Sequence, residues 1–181
     1  MKKTTANVKF LTRVALSTAL MSVSAMIVIP STFVPFSLQV FALYFILFVF
    51  GGGVGIAASV TYAALGFVGL PVFSGFSGGI GKFFEPSGAF IIGFIVAALV
   101  YFLFERFFLK GKRSSVSTYL SLLALYLTAA AWIYVILGGG GLKAFLLIFP
   151  YFILSFVIPD LFKIAFAGIL AVRLEKYINK L

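Results

Sequence analysis

At 181 residues the chain is long enough for one domain and not two. Hydrophobic residues make up 63% and charged residues 10%, where a soluble domain has about 45–50% and about 25%, and this excludes an ordinary cytosolic enzyme. The net charge of +10 comes from basic residues that flank long apolar runs instead of forming a stripe. That pattern fits a membrane protein with cationic cytoplasmic edges and argues against nucleic-acid binding.

With no Cys and no His, disulfide frameworks, Cys/His zinc sites, thiol nucleophiles and histidine bases are excluded together. The four acids, Glu85, Glu105, Asp160 and Glu175, are scattered. Hydrolytic or phosphoryl-transfer chemistry needs paired carboxylates or a metal cluster, so neither an enzyme nor a metal site is expected.

The charge gaps set the architecture. Between Arg13 and Lys82 lie 68 residues without a charge, room for about three crossings at roughly 20 residues each. The first predicted span covers 11–29 and stops at Pro30. The second, 38–50, stops at the glycine run Gly51-Gly52-Gly53, and the third, 54–70, stops before Pro71. Residues 71–86 are too rich in Gly for a helix and too apolar for a solvated linker. A fourth span, 87–108, closes on Arg106, Lys110, Lys112 and Arg113; a fifth, 117–137, ends at four glycines. In the remainder, Pro150 and Pro159 divide the chain. Residues 144–158 read as a re-entrant or interfacial segment, and 159–178 as a sixth span with Pro159 in its first turn. The alternative is one long kinked helix from about Phe145.

The expected fold is therefore all-α and integral to the lipid bilayer, a six-transmembrane-helix bundle with both termini cytoplasmic. Six spans put the N-terminal Lys2, Lys3, Lys9 and Arg13, the Lys110–Arg113 loop, and the C-terminal Arg173, Lys176 and Lys180 on one side. The positive-inside rule makes that side cytoplasmic. The basic, apolar start resembles a secretory signal, but further spans follow at once. No clean internal repeat is visible, so an inverted-repeat transporter is not supported.

Candidate functional residues are few. Asp160 and Lys163 stand three apart and so share a helix face. An intramembrane ionisable pair normally faces a cavity or the bundle interior; the bland reading is a self-satisfied interfacial pair. The Gly/Ser/Phe loop 71–86 is the second candidate, because glycines admit close approach and aromatics wall apolar pockets. Gln39 is a polar amide at the start of the second span, able to bind a ligand or cap backbone. Ala15 and Ala19, continued by Ser22, form a small-residue face that lets another helix approach closely. Glu105 and Arg106 read as interfacial solvation, and Trp132 as a lipid-facing or bundle-filling residue. There is no Gly-rich loop ending in Gly-Lys-Ser/Thr, so ATP hydrolysis would have to come from other subunits.

Four stretches in order carry a family resemblance: Val34-Pro35-Phe36-Ser37-Leu38-Gln39, Gly69-Leu70-Pro71-Val72-Phe73, Pro86-Ser87-Gly88-Ala89-Phe90-Ile91-Ile92-Gly93-Phe94, and Ile158-Pro159-Asp160-Leu161-Phe162-Lys163. With them the chain resembles the BioY family, the biotin-specific substrate-binding (S) components of energy-coupling-factor (ECF) transporters. It departs at Pro86-Ser87-Gly88-Ala89-Phe90, where the family commonly reads Pro-Thr-Gly-Gly followed by Tyr or Phe, and in the bulk and charge of Phe76 and Lys82-Phe83-Phe84-Glu85.

The resemblance implies biotin uptake across the bacterial plasma membrane, with a transmembrane partner and two ATPase subunits, and no cofactor beyond biotin as transported ligand. It implies that Asp160 and Lys163 engage the ureido head, and that Phe73, Ser74, Gly75, Ser77, Gly78 and Gly79 line or cover the pocket. Gln39 and Tyr151 are looser candidates, and Lys82 is the cation expected at the ligand carboxylate. The Ala15/Ala19 face would dock on the transmembrane partner. The competing readings are an S component for another vitamin, a stand-alone transporter, or a channel.

Overall fold

The computed structural model describes residues 2–29, 36–108, 114–136, 138 and 141–178, with side chains for all of these except 2–5, 141–145, 147–155, 175–176 and 178. Val34, Pro35, Lys110, Lys112, Arg113 and Lys180, and the side chains of Lys2, Lys3, Lys143, Glu175 and Lys176, lie outside the described residues.

Among the described residues six α-helices follow in order: α1 (Lys2–Met26), α2 (Gln39–Phe50), α3 (Gly52–Phe67), α4 (Gly88–Phe107), α5 (Ser115–Ile136) and α6 (Gly141–Ile178). Between α1 and α2 the strands β1 (Val28–Ile29) and β2 (Phe36–Ser37) pair antiparallel, Val28 with Ser37 and Ile29 with Phe36. The backbone N–H of Leu38 donates to the carbonyls of Ser24 and Ile27, which ties this hairpin to the end of α1.

The helix most uniformly apolar in sequence is the most enclosed. In α2, QVFALYFILFVF, seven of twelve residues are buried, as expected of a helix without a polar face. α2 packs on α6, α1 and α3; α4 packs chiefly on α5 and α3. Tyr44, Tyr62, Tyr101, Phe94, Met21, Leu43, Ile46 and Leu47 are fully enclosed at the centre. The outward faces are also apolar: Leu11, Leu16, Val23, Leu99, Leu123, Leu127, Phe166 and Val172 are exposed. A bundle that is apolar outside as well as inside is built for lipid.

Three described stretches, Ala6–Met26, Gly88–Phe107 and Ser115–Ile136, are long and apolar enough to cross a bilayer. α2 and α3, with 12 and 16 residues, measure about 18 and 24 Å at 1.5 Å per residue, short of a core of about 30 Å. Their turn is tight. Gly51 and Gly52 bring α3 onto α4 so closely that a Cβ on Gly52 would stand 2.5 Å from the Phe102 Cα. The carboxylate of Glu105 accepts the Gly52 N–H at 2.8 Å. Glu105, expected to be solvated beside Arg106, thus caps α3 from a neighbouring helix. Backbone donors are unsatisfied at a helix start, and negative charge is favourable there.

Residues 141–178 differ most from expectation. One continuous helix, Gly141–Ile178, replaces the separate segments 144–158 and 159–178. Pro159 lies in its interior, not in a first turn. Proline removes one backbone hydrogen bond and clashes with the preceding turn, but packed membrane helices tolerate this because neighbours re-satisfy the freed groups. The long-helix alternative is the one adopted.

The 71–87 loop packs as a structured cap. Phe73 and Ser77 bridge through backbone bonds, and Ile80–Phe84 form a 3-10 turn. Gly66 on α3 makes the space: any Cβ there would run into the Phe73 ring. Phe73 meets Tyr62 and Phe83 edge-on, at 5.3 and 5.7 Å between centroids. The Trp132 indole N–H donates to the Phe83 carbonyl at 2.7 Å, so Trp132 pins the loop to α5 instead of only filling space.

Candidate binding site

Beneath this loop and the β1–β2 hairpin lies a cavity of about 250 Å³. Its wall draws on Phe36 and Ser37 of β2, Gln39 and Val40 of α2, and Tyr62 of α3. The loop adds Phe73, Ser74, Ser77 and Lys82; α4 adds Phe90, Ile91 and Phe94; α6 adds Phe156, Asp160 and Lys163. Six aromatic rings and several aliphatic side chains share the wall with convergent polar groups, the mixture that small-molecule sites generally show.

Asp160 and Lys163 do share a face of α6. The Lys163 Nζ donates to Asp160 Oδ1 at 2.8 Å, and the two side chains are 8% and 1% exposed. From α5, the Tyr126 hydroxyl donates to Asp160 Oδ2 at 2.8 Å. The ammonium also sits 4.6 Å from the Phe36 ring centroid, a cation–π distance. A buried ion pair is tolerable only when its remaining valences are met, and here each carboxylate oxygen has a partner. The pair offers an acceptor edge beside a donor, at the wall of an otherwise apolar chamber.

A second polar chain runs along the cavity wall. Ser37 donates to Gln39 Oε1 at 2.7 Å, and Gln39 Nε2 donates to the Tyr62 hydroxyl at 2.7 Å. Gln39 is therefore engaged at both ends, and it joins the hairpin to α3. The Ser77 hydroxyl donates to the Ser74 carbonyl at 2.8 Å, which holds the loop's inner turn. Lys82 reaches the cavity wall but pairs with Glu85 at 2.6 Å, partly exposed.

Of the residues singled out from sequence, the fold gathers Asp160, Lys163, Gln39, Phe73, Ser74, Ser77 and Lys82 around one chamber. Gly75, Gly78 and Gly79 belong to the same loop without lining the chamber; the Gly79 N–H instead donates to the Gly66 carbonyl at 2.7 Å. The Tyr151 side chain lies outside the described residues. Ala15 and Ala19 are exposed along α1, and Ser22 is half-buried with its hydroxyl on the Thr18 carbonyl at 2.9 Å. That face stands apart from the chamber. Among the described residues no three His, Cys, Asp or Glu side chains come together as metal ligands.

Sequence reasoning missed Tyr62, Tyr126, Phe90, Ile91, Phe94 and Phe156. The available signal was weak: Tyr62 and Tyr126 are hydroxyl-bearing residues inside apolar spans, where a polar atom needs a partner.

The BioY family model matches residues 1–180. The chain belongs to the BioY family. Among curated relatives, a "Probable biotin transporter BioY" of Pyrococcus horikoshii is 38% identical over 162 residues, 90% of this chain and 93% of the relative. A "Biotin transporter BioY" of Thermotoga maritima is 36% identical over 175 residues, 92% of this chain and 95% of the relative. The crystal structure of an S-component for biotin from an ECF-type ABC transporter superposes with a TM-score of 0.80, covering 95% of this chain and 93% of that one at 23% identity. At that identity the superposition establishes a shared helical fold. The family resemblance drawn from the four sequence stretches is thereby borne out, and with it a membrane protein of a transporter family.

Proposed function

We propose that this BioY-family chain binds biotin and serves as the substrate-specific S component of an ECF transporter in the bacterial plasma membrane. The observation that carries the reading is the buried Asp160–Lys163 pair at the wall of an aromatic chamber. Biotin's ureido ring presents N–H donors beside a carbonyl oxygen. Asp160 accepts an N–H, and Lys163 donates to the oxygen. The Phe36, Phe90 and Phe156 rings supply apolar walls for the thioether ring. A chamber of about 250 Å³, just under the roughly 300–1,000 Å³ of drug-sized sites, suits a vitamin.

Lys82 is proposed to hold the ligand carboxylate. An ammonium has three donors, so it can keep Glu85 and take a second carboxylate. Phe73, Ser74 and Ser77 form the cover, with Gly75, Gly78 and Gly79 setting its turns. Six spans, cytoplasmic termini, and docking of the exposed Ala15/Ala19 face on a transmembrane partner that works with two ATPase subunits complete the proposal. The support for this topology is the basic character of the N-terminus, the 110–113 loop and the C-terminus.

The test is equilibrium binding of biotin to the purified chain in detergent, with other vitamins as competitors. Saturable binding displaced by biotin and not by the others is expected. A folded, monodisperse chain that ignores biotin but takes another vitamin overturns the assignment of ligand.

A further inference from the structure

We infer that Tyr126 sets the ligand specificity of the Asp160–Lys163 pair by occupying one of the two carboxylate oxygens. The inference rests on the biotin reading above and deepens it. The cavity wall has no residue from α5, and Tyr126, on α5 and 2% exposed, stands behind Asp160. It is a positioning residue: it touches the carboxylate, not the chamber.

The geometry divides the carboxylate. Oδ2 accepts the Tyr126 hydroxyl and Oδ1 accepts the Lys163 ammonium, each at 2.8 Å. A carboxylate is an acceptor only, so the phenol is the donor. What remains for a ligand is the Oδ1 edge with an ammonium beside it, an acceptor next to a donor. The complement is an N–H next to a C=O, as in a urea, a lactam or an amide. A guanidinium-type head presents two parallel N–H donors and pairs best with both oxygens of one carboxylate. Tyr126 already fills one acceptor position on Oδ2, so the fork must share that oxygen with the phenol, and Lys163 repels its charge. The nearby phenol of Tyr44 is held at Ser121, 2.9 Å away, and leaves this division to Tyr126.

The probe is 2-iminobiotin, which replaces the ureido oxygen by nitrogen and is a protonated guanidinium near neutral pH. Biotin and 2-iminobiotin are titrated into the purified full chain, parent and Tyr126→Phe. In the variant, biotin binding weakens about tenfold, the lower end for one hydrogen bond to a charged group, while 2-iminobiotin binding holds or tightens. The preference for biotin therefore falls about tenfold or more. Equal weakening for both ligands, with the preference unchanged within twofold, is the outcome of a merely structural role and overturns the inference. Tyr126→Met also lacks the hydroxyl, and carries the same expectation should the phenylalanine variant not fold. In an Asp160→Asn background the hydroxyl's removal should leave the preference where Asn alone puts it; the same tenfold drop there overturns the inference too. A parent that binds no biotin overturns the functional reading, and the inference with it.

Discussion

Two carboxylates, Asp160 and Glu105, are engaged inside this bundle, and they do different things with the same functional group. Glu105, half-buried, closes its bond on the backbone N–H of Gly52 where α3 begins. Asp160, 1% exposed, closes its bonds on an ammonium and a phenol at the wall of a chamber. The first satisfies a helix end that would otherwise lack an acceptor. The second holds two opposite charges out of water where a ligand can reach them. The first carboxylate holds a helix end to its neighbour; the second, on side chains beside a cavity, is the one proposed to meet the ligand.

The largest effect expected from breaking this contrast is at Lys163. Lys163→Met leaves a buried carboxylate uncompensated, which costs about 3–5 kcal/mol. Thermal unfolding in detergent should show the loss, and biotin titration should show binding reduced beyond detection. An unmoved melting temperature would mean that the pair is hydrated and not buried.

Next in size is the seat of the covering loop. Gly66→Ala puts a methyl group where the Phe73 ring lies, and overpacking of this kind costs about 1–3 kcal/mol. Biotin affinity should fall along with stability, since Phe73 forms part of the chamber wall. Unchanged affinity would detach the loop from binding.

Glu105→Ala should cost about 1 kcal/mol, as for a lost helix cap, and leave biotin affinity within about twofold of the parent. This variant sharpens the contrast most. A loss of binding without a loss of stability would place Glu105 among the binding residues and dissolve the distinction. Smallest in stability is Lys82→Met. A partly exposed ion pair is worth about 0–1 kcal/mol, so unfolding should barely move. Affinity for biotin should drop while affinity for biotin amide, which lacks the carboxylate, stays put. An equal drop for both ligands would remove Lys82 from the carboxylate's role.

The contrast also explains what could be read from sequence. Asp160 and Lys163 stand three apart on one helix, so local periodicity alone paired them. Tyr126, which fixes the other carboxylate oxygen, is 34 positions away and leaves no local signature. Gln39 was legible as a polar residue at a helix start, but its partner Tyr62 comes from α3. Glu105 reads from sequence as interfacial solvation; its acceptor role depends on the α2–α3 turn in space. Proline punctuation put the ends of the first and third apolar runs at 29 and 70, whereas α1 ends at Met26, with Val28–Ile29 in a strand, and α3 ends at Phe67. At Pro159 no helix end follows: α6 carries this proline in its interior, which packed membrane helices tolerate. The glycine-rich loop was legible as something packed and not helical, while which of its residues face the chamber depended on Gly66 receiving Phe73.

The most direct measurement is the dissociation constant for biotin of Asp160→Asn beside the parent, with melting temperatures recorded for both. Asn keeps the shape and gives up the charge, so the bundle should survive. The account expects at least a hundredfold weaker binding, about 3 kcal/mol, the scale on which hydrogen bonds to charged groups contribute. Parent-like affinity in a folded Asp160→Asn protein would contradict it, and would move the recognition of biotin's head elsewhere in the chamber.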